Sequence, residues 1–172
     1  WINKLIFGEN LQILKTLIQM KKDGKLKNAD GTDGVRLIYI DPPFATKQEF
    51  KVNGEEQVAY ADKLSGSEFI EFIRKRLILA KELLSNDGVI FVHLDQKMVH
   101  YIKVIMDEIF GKNNFRNEII WKYFGPTSTD KNFPRKHDII LFYSKSSDYY
   151  FDSNATLINY DEKAIKRYDK VD

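Results

Sequence analysis

Two short apolar runs, VRLIYI at 35–40 and VIFVHL at 89–94, constrain the fold of this chain more than anything else in it. Neither alternates polar with apolar residues, so each reads as a strand covered on both faces, the habit of parallel sheets. Parallel neighbours need a long crossover, and a helical stripe of Ile70, Ile73, Leu77, Ala80 and Leu84 lies between the runs. Ser65 and Glu68 have capping-box spacing at its start, and SNDG (85–88) is expected to end it. Met98, Ile102, Ile105 and Ile109 form the next stripe, with Asp95 as its expected cap and Gly111 as its stop. Upstream, NKLIFG (3–8) reads as a strand, and Leu11, Leu14, Leu17 and Ile18 as a helix capped by Asn10. The order β-α-β-α-β-α implies a doubly wound α/β sheet.

The pattern then changes. EIIWKYF (118–124) and DIILFYSK (138–145) read as strands joined by a polar loop with Pro126 and Pro134. No helix fits between them, so they should pair antiparallel at one edge of the sheet. DYYFD (148–152) reads as one more edge strand, and the segments 21–34 and 45–65 as polar loops. Residues 1–145 are expected to form one unit. The segment 146–172 is expected to begin a following region, and the chain, opening at Trp1, reads as a piece of something longer.

Composition removes several classes. With no cysteine, neither a disulfide framework nor a thiolate metal site can form. His93, His100 and His137 lack metal-ligand spacing, and no metal is assigned. No apolar run approaches the ~20 residues that span a bilayer, and no signal-peptide pattern opens the chain, so a cytoplasmic protein without a membrane partner is expected. A net charge of +2 is too small to establish a nucleic-acid partner.

The run at 35–40 empties into DPPF (41–44), where the chemistry gathers. Ligands of open α/β sheets sit beyond the carboxyl ends of the strands. Pro42 and Pro43 fix φ and remove two donors, leaving a stiff turn that offers the Asp41 carboxylate, carbonyl oxygens and the Phe44 ring. Such a turn can accept hydrogen bonds from an exocyclic amine while its ring stacks on a flat base. Asp41 reads equally well as a turn cap and Phe44 as a core plug. A nucleotide-hydrolase reading needs G-x-x-x-x-G-K-[ST], and a dinucleotide reading G-x-G-x-x-G; the sequence holds neither.

DPPF at a strand end resembles the Asp-Pro-Pro-Tyr motif of amino-type DNA methyltransferases. NKLIFGENLQILKTL, LIYIDPPF, RLILAKELLSNDGVIFVHLDQKMV and IMDEIFGKNNFRNEIIWKY follow in the order of the β-class adenine-N6 enzymes, which include type III restriction modification subunits. The similarity covers roughly residues 3–145. Phe44-Ala45-Thr46-Lys47 stands where the family often has Tyr-Asn-Thr-Gly, and Gly8-Glu9 where it often has Gly-Asp. The cofactor motif Phe-x-Gly-x-Gly is absent, since the nine glycines never fall as G-x-G. The chain thus resembles the N-terminal, catalytic-motif half of such an enzyme.

The resemblance implies part of a Rossmann-like sheet and methyl transfer from S-adenosylmethionine to adenine N6 in DNA, within a restriction-modification system. It implies Asp41, Pro42, Pro43 and Phe44 as catalytic residues and Ile40, Asp41, Glu9 and Asn10 beside the cofactor. The amine would bond the Asp41 carboxylate and the Pro42 carbonyl, with Phe44 stacked on a flipped adenine. Lys47, Lys131, Arg135 and Lys136 are candidates for phosphate contacts, although the loop at 125–138 reads equally as a plain polar hairpin. Arg74, Lys75 and Arg76 are expected on a solvated helix face, with Glu71 and Lys75 paired. Double-stranded DNA with a flipped adenine is the partner implied; a restriction subunit and a second copy of the chain are compatible with it. Cytosine-N4 methylation stays open, as does a catalytically incomplete DNA-binding fragment. The isolated chain, without the glycine motif, is expected to be inactive.

Overall fold

The helical stripe at the centre of the chain is the organising feature of the computed structural model, which describes residues 3–42, 49–51, 58–61, 66–125 and 131–157. Helix α2 (Gly66–Leu83) buries Phe69, Ile73, Leu77, Ala80 and Leu83, an i, i+4, i+8 ladder facing one way. α1 (Asn10–Lys22) packs beside it, and α3 (Val99–Phe110) on its other flank buries Val99, Ile102, Ile105, Met106 and Phe110. All three serve one sheet. Removing a fully buried side chain such as Leu77 would cost about 2–5 kcal/mol.

That sheet holds β1 (Val35–Ile40), β4 (Leu84–Leu94), β5 (Phe115–Lys122) and β6 (His137–Ser144) in the order β1-β4-β6-β5. β1 runs parallel to β4, β6 antiparallel to β4, and β5 antiparallel to β6. The mixed sheet therefore has the expected parallel pair and antiparallel edge hairpin. By this arrangement β1, β4 and β5 all point their carboxyl ends the same way, and the β5–β6 connection leaves from that end. Ile38, Ile40, Ile90, Val92, Leu94, Ile139, Leu141 and Tyr143 alternate toward the helices. The opposite face carries Leu37, Tyr39, Phe91, His93, Phe142 and Trp121, with Leu37 and Trp121 more than half exposed.

Gly34 makes the close entry to this sheet. Its φ is +104°, and a Cβ there would meet the Leu83 carbonyl oxygen at 2.6 Å. Lys21 seals the same corner, donating to the carbonyls of Glu82 and Leu84 at 2.6 Å each. Lys145 adds a third bond, 2.5 Å, to the Leu84 carbonyl.

Several expectations need correction. Residues 3–8 form no strand among the described residues: no neighbouring strand pairs with them, and Leu5 and Phe7 are fully exposed. The cap of α1 is Glu9 rather than Asn10, its carboxylate accepting from Gln12 N at 3.0 Å. SNDG does not separate helix from strand, because β4 begins at Leu84 and contains it; Gly88 lets the Ser85 and Val35 carbonyls pass at distances a Cβ would not tolerate. Asp95 caps the turn before α3, accepting from Lys97 N and Met98 N at 3.1 Å, while Met98 occupies the cap position. The loop after Asp41 contains the antiparallel pair β2 (Glu49–Lys51) and β3 (Val58–Ala61). Residues 148–152 are not a strand; the Tyr149 and Phe151 rings pack against Phe142 at 6.1 and 6.3 Å. Ser65 lies outside the described residues, as do Pro43, Phe44 and Lys47.

Candidate functional site at the carboxyl end of the sheet

Asp41 is the first residue beyond β1, exposed, with Pro42 buried directly behind it. The Pro42 ring is buried while Asp41 is exposed; the rest of the expected turn, Pro43 and Phe44, lies outside the described residues. Asp41 and Pro42 border a cavity of about 330 Å³ between β1, α1 and α2. Ile38 and Ile40 of β1, Ile13 and Leu14 of α1, and Phe72 and Leu77 of α2 give it an apolar wall. Its size lies at the lower end for small-molecule sites, roughly 300–1,000 Å³, and Asn10, Tyr39, Asp41 and Arg76 are the polar residues of its lining.

Asn10 and Arg76 are joined to each other in that lining. The Arg76 guanidinium lies 3.3 Å from the Phe72 ring centroid and donates to Asn10 Oδ1 at 2.7 Å, Glu9 Oε1 at 2.8 Å and the Phe72 carbonyl at 2.9 Å. Its side chain is only 13% exposed. The expected solvated face is therefore corrected at this position: the guanidinium folds back over an aromatic ring and ties α2 to the start of α1. Its neighbours behave as expected, Arg74 pairing with Glu108 at 2.7 Å and Lys75 with Glu71 at 3.6 Å. Backbone N–H groups at Leu11 and then Gln12, with Arg76 beyond them, hold the Glu9 carboxyl below the ordinary carboxylate value.

The expected cofactor residues thus come together in part. Ile40, Asp41 and Asn10 line one cavity, and Glu9 reaches it through Arg76. Arg76 itself was missed, and the only trace in the sequence is the i, i+4 spacing of Phe72 and Arg76.

A polar chain crosses the other face of the sheet at the same end. The Tyr39 hydroxyl lies 2.9 Å from His93 Nδ1, and His93 Nε2 lies 3.4 Å from Asp138 Oδ2. Burial, and then the nearby Asp41 charge, raise the Tyr39 phenol above its ordinary value. No sequence spacing reveals this group, because its members come from three strands.

The nucleic-acid candidates Lys131, Arg135 and Lys136 lie on the β5–β6 connection, at the end of the sheet where Asp41 emerges. Lys131, Arg135 and Phe133 are exposed, and Phe133 is almost fully so. A shallow depression of about 460 Å³ beside them is bordered by Lys122, Phe124, Pro134 and Lys136, with the Lys122 ammonium 5.3 Å from the Phe124 ring. Among the described residues no helix is long and apolar enough to cross a membrane.

Comparison with known proteins places these features in a group. A family model described as DNA methylase matches residues 35–171. The type II methyltransferase M.EcaI of Enterobacter cloacae is 38% identical over 172 residues, covering 99% of this chain and 35% of that protein. The probable type III restriction-modification enzyme HindVI Mod subunit of Haemophilus influenzae is 40% identical over 120 residues, 70% of this chain and 14% of its own length. The chain thus spans about a third or less of these relatives. In fold, the chain is similar to PvuII DNA methyltransferase (cytosine-N4-specific), with a TM-score of 0.58 at 13% identity over 88% of this chain and 52% of that one.

Proposed function

Because this chain belongs to the DNA methylase family, we propose that it is the catalytic-motif part of a restriction-modification methyltransferase that methylates adenine N6 in double-stranded DNA. The single observation that carries the reading is Asp41, exposed at the carboxyl end of β1 with Pro42 buried behind it and a cavity alongside. The amine of adenine is a poor nucleophile because its lone pair is delocalised into the ring. The Asp41 carboxylate and the Pro42 carbonyl would accept its two N–H bonds and favour a pyramidal nitrogen, catalysis by positioning and electrostatics. Phe44 would stack on the flipped base. The exposed cations Lys131 and Arg135, with Lys136, are suited to hold phosphates on the rim of the same end, with Lys47 as a further candidate.

The family's methyl donor is S-adenosylmethionine, and the residues present fit part of it. The apolar wall of the cavity suits its base, the Asp41 carboxylate suits a cationic sulfonium, and Asn10 with Glu9 and Arg76 offers polar partners. Bound there, it would supply the electrophilic methyl group. The region after residue 145 is assigned to target recognition or to a connection toward it. A restriction subunit fits the same reading, as does a second copy of the chain.

A second reading, cytosine-N4 methylation, is favoured by the fold likeness to a cytosine-N4-specific enzyme. Asp41, rather than the serine that more often opens the cytosine motif, weighs toward adenine. The test of the shared mechanism is Asp41→Ala in the complete protein. Loss of a turn contact should cost about 1 kcal/mol of stability, whereas loss of an aligned acceptor should cost ~3–4 kcal/mol of barrier, hundreds-fold or more in rate. A folded Asp41→Ala protein that transfers methyl groups at the wild-type rate would refute the assignment.

A further inference from the structure

We propose that Arg76 is a positioning residue for the methyl donor: it fixes the Asn10 amide so that its nitrogen donates to an acceptor atom of S-adenosylmethionine in the cavity beside Asp41. The inference rests on the functional reading above and deepens it. Of the polar group at the cavity, Asn10 makes the contact, and Arg76 with Glu9 holds it in place.

The three cations at 74–76 have different surroundings. Arg74 and Lys75 pair with Glu108 and Glu71, whereas Arg76 is drawn in to 13% exposure and lines the cavity with Asn10 and Asp41. Each nitrogen of its guanidinium has its own acceptor. Nε donates to Asn10 Oδ1 at 2.7 Å, Nη2 to Glu9 Oε1 at 2.8 Å and Nη1 to the Phe72 carbonyl at 2.9 Å. The Phe72 ring, its centroid 3.3 Å from the guanidinium carbon, backs the planar group. Glu9 is held in turn, since its other oxygen caps α1 by accepting from Gln12 N at 3.0 Å.

These bonds decide which end of the Asn10 amide is left for a ligand. A guanidinium has donors and no acceptor, so the Asn10 atom that meets Nε is the oxygen. The amide nitrogen remains, and it bonds no described residue. Asn10 therefore offers the cavity a hydrogen-bond donor. Ring nitrogens, ribose oxygens and the carboxylate of the methyl donor are acceptors that suit it; the exocyclic amine of its base is not.

The same clamp sets the place of α1. At the far end of that helix Lys21 bonds the Glu82 and Leu84 carbonyls at 2.6 Å each, and Lys22 pairs with Glu82 at 2.8 Å. The helix is thus tied at both ends, with Ile13 and Leu14 of the cavity wall between the ties. Loss of Arg76 would release only the end that carries Asn10. A merely structural Arg76 needs an acceptor at position 10 and has no use for a donor there. Aspartate separates the two roles.

The experiment measures S-adenosylmethionine binding to the complete protein by calorimetry, thermal melting without the donor, and KM and kcat for methylation of duplex DNA. Asn10→Asp keeps an acceptor for Arg76, and a negative charge at the start of a helix is favourable. Its melting temperature should therefore stay within a few degrees of the wild type. Its affinity for S-adenosylmethionine should nonetheless fall at least ten-fold, because a donor is replaced by an oxygen facing an acceptor. The added charge by itself would favour a cationic sulfonium, so repulsion of the ligand's charge does not explain such a loss. KM for the donor should rise by a similar factor, with kcat within about three-fold of wild type. Arg76→Lys, one nitrogen for three acceptors, should weaken binding to a similar extent alone and add less than about two-fold to Asn10→Asp. An Asn10→Asp protein that binds as tightly as wild type, or losses that add in full in the double variant, would overturn the positioning role alone. A complete wild-type protein that neither binds S-adenosylmethionine nor methylates DNA would overturn the functional reading, and this role with it.

Discussion

At Asp41 the backbone leaves the sheet with a buried proline ring behind it, so one exposed carboxylate stands at the strand end. An acceptor at this place is what the proposed amine nucleophile requires. Phe44, three residues on, completes the proposed grip by stacking. Base–aromatic stacking is worth ~1–3 kcal/mol, so Phe44→Ala in the complete protein should lower the methylation rate on the order of ten- to a hundred-fold. Phe44→Tyr and Phe44→Trp should retain the rate, because stacking needs only a π face; a harmless alanine would make the ring a plug. Residues such as Asp41 were legible because a strand end followed by two prolines is a local pattern. Arg76 was not, since its role depends on Glu9 and Asn10, more than sixty positions away, and on the ring of Phe72. The same holds for His93, whose neighbours Tyr39 and Asp138 come from separate strands.

The elements that depend on local periodicity came through best. α1, α2 and α3 lie where apolar residues recur at helical spacing, and β1 matches its apolar run from Val35 to Ile40. Elements that depend on a partner were harder to read. Residues 3–8 have the composition of a strand but pair with no strand among the described residues, whereas β4 runs through a turn-like SNDG that falls in the register shift between its pairs Val35–Leu84 and Leu37–Val89 with β1. The corner where these strands meet carries a testable electrostatic cost. Burial, followed by the charge of Lys21, pushes the Lys145 ammonium down to about 8 from the ordinary lysine value of 10.5. With the folded value below the unfolded one, the contribution of this group to stability is present above about pH 10.5 and lost as pH falls through about 8. Lys145→Met should therefore gain most in melting temperature over the wild type below pH 8, and that advantage should shrink as pH rises toward 10.5. Thermal melts of both proteins at several pH values check this; a difference that does not change with pH would contradict it.

At the scale of the molecule, a mixed sheet in the order β1-β4-β6-β5 is covered by helices on one face, and its opposite face is lined by Leu37, Tyr39, Phe91 and Trp121. The α/β class was readable from two apolar runs with a helix between them, and the antiparallel edge from two strands without one. Only the three-dimensional sheet shows that the β5–β6 connection and Asp41 share an end, which unites phosphate contacts and chemistry in one proposal. The 172 residues carry the proposed acceptor and part of a donor cavity but no glycine-rich cofactor motif. Calorimetry should accordingly find the isolated chain binding S-adenosylmethionine far more weakly than the complete protein; micromolar affinity of the chain would show that the described cavity suffices. The central claim is the identity of the methylated atom. DNA from a methylation-free host expressing the complete protein should, after digestion to nucleosides and mass spectrometry, contain N6-methyldeoxyadenosine. N4-methyldeoxycytidine in its place, or no methylated base from a folded and expressed protein, would contradict the account.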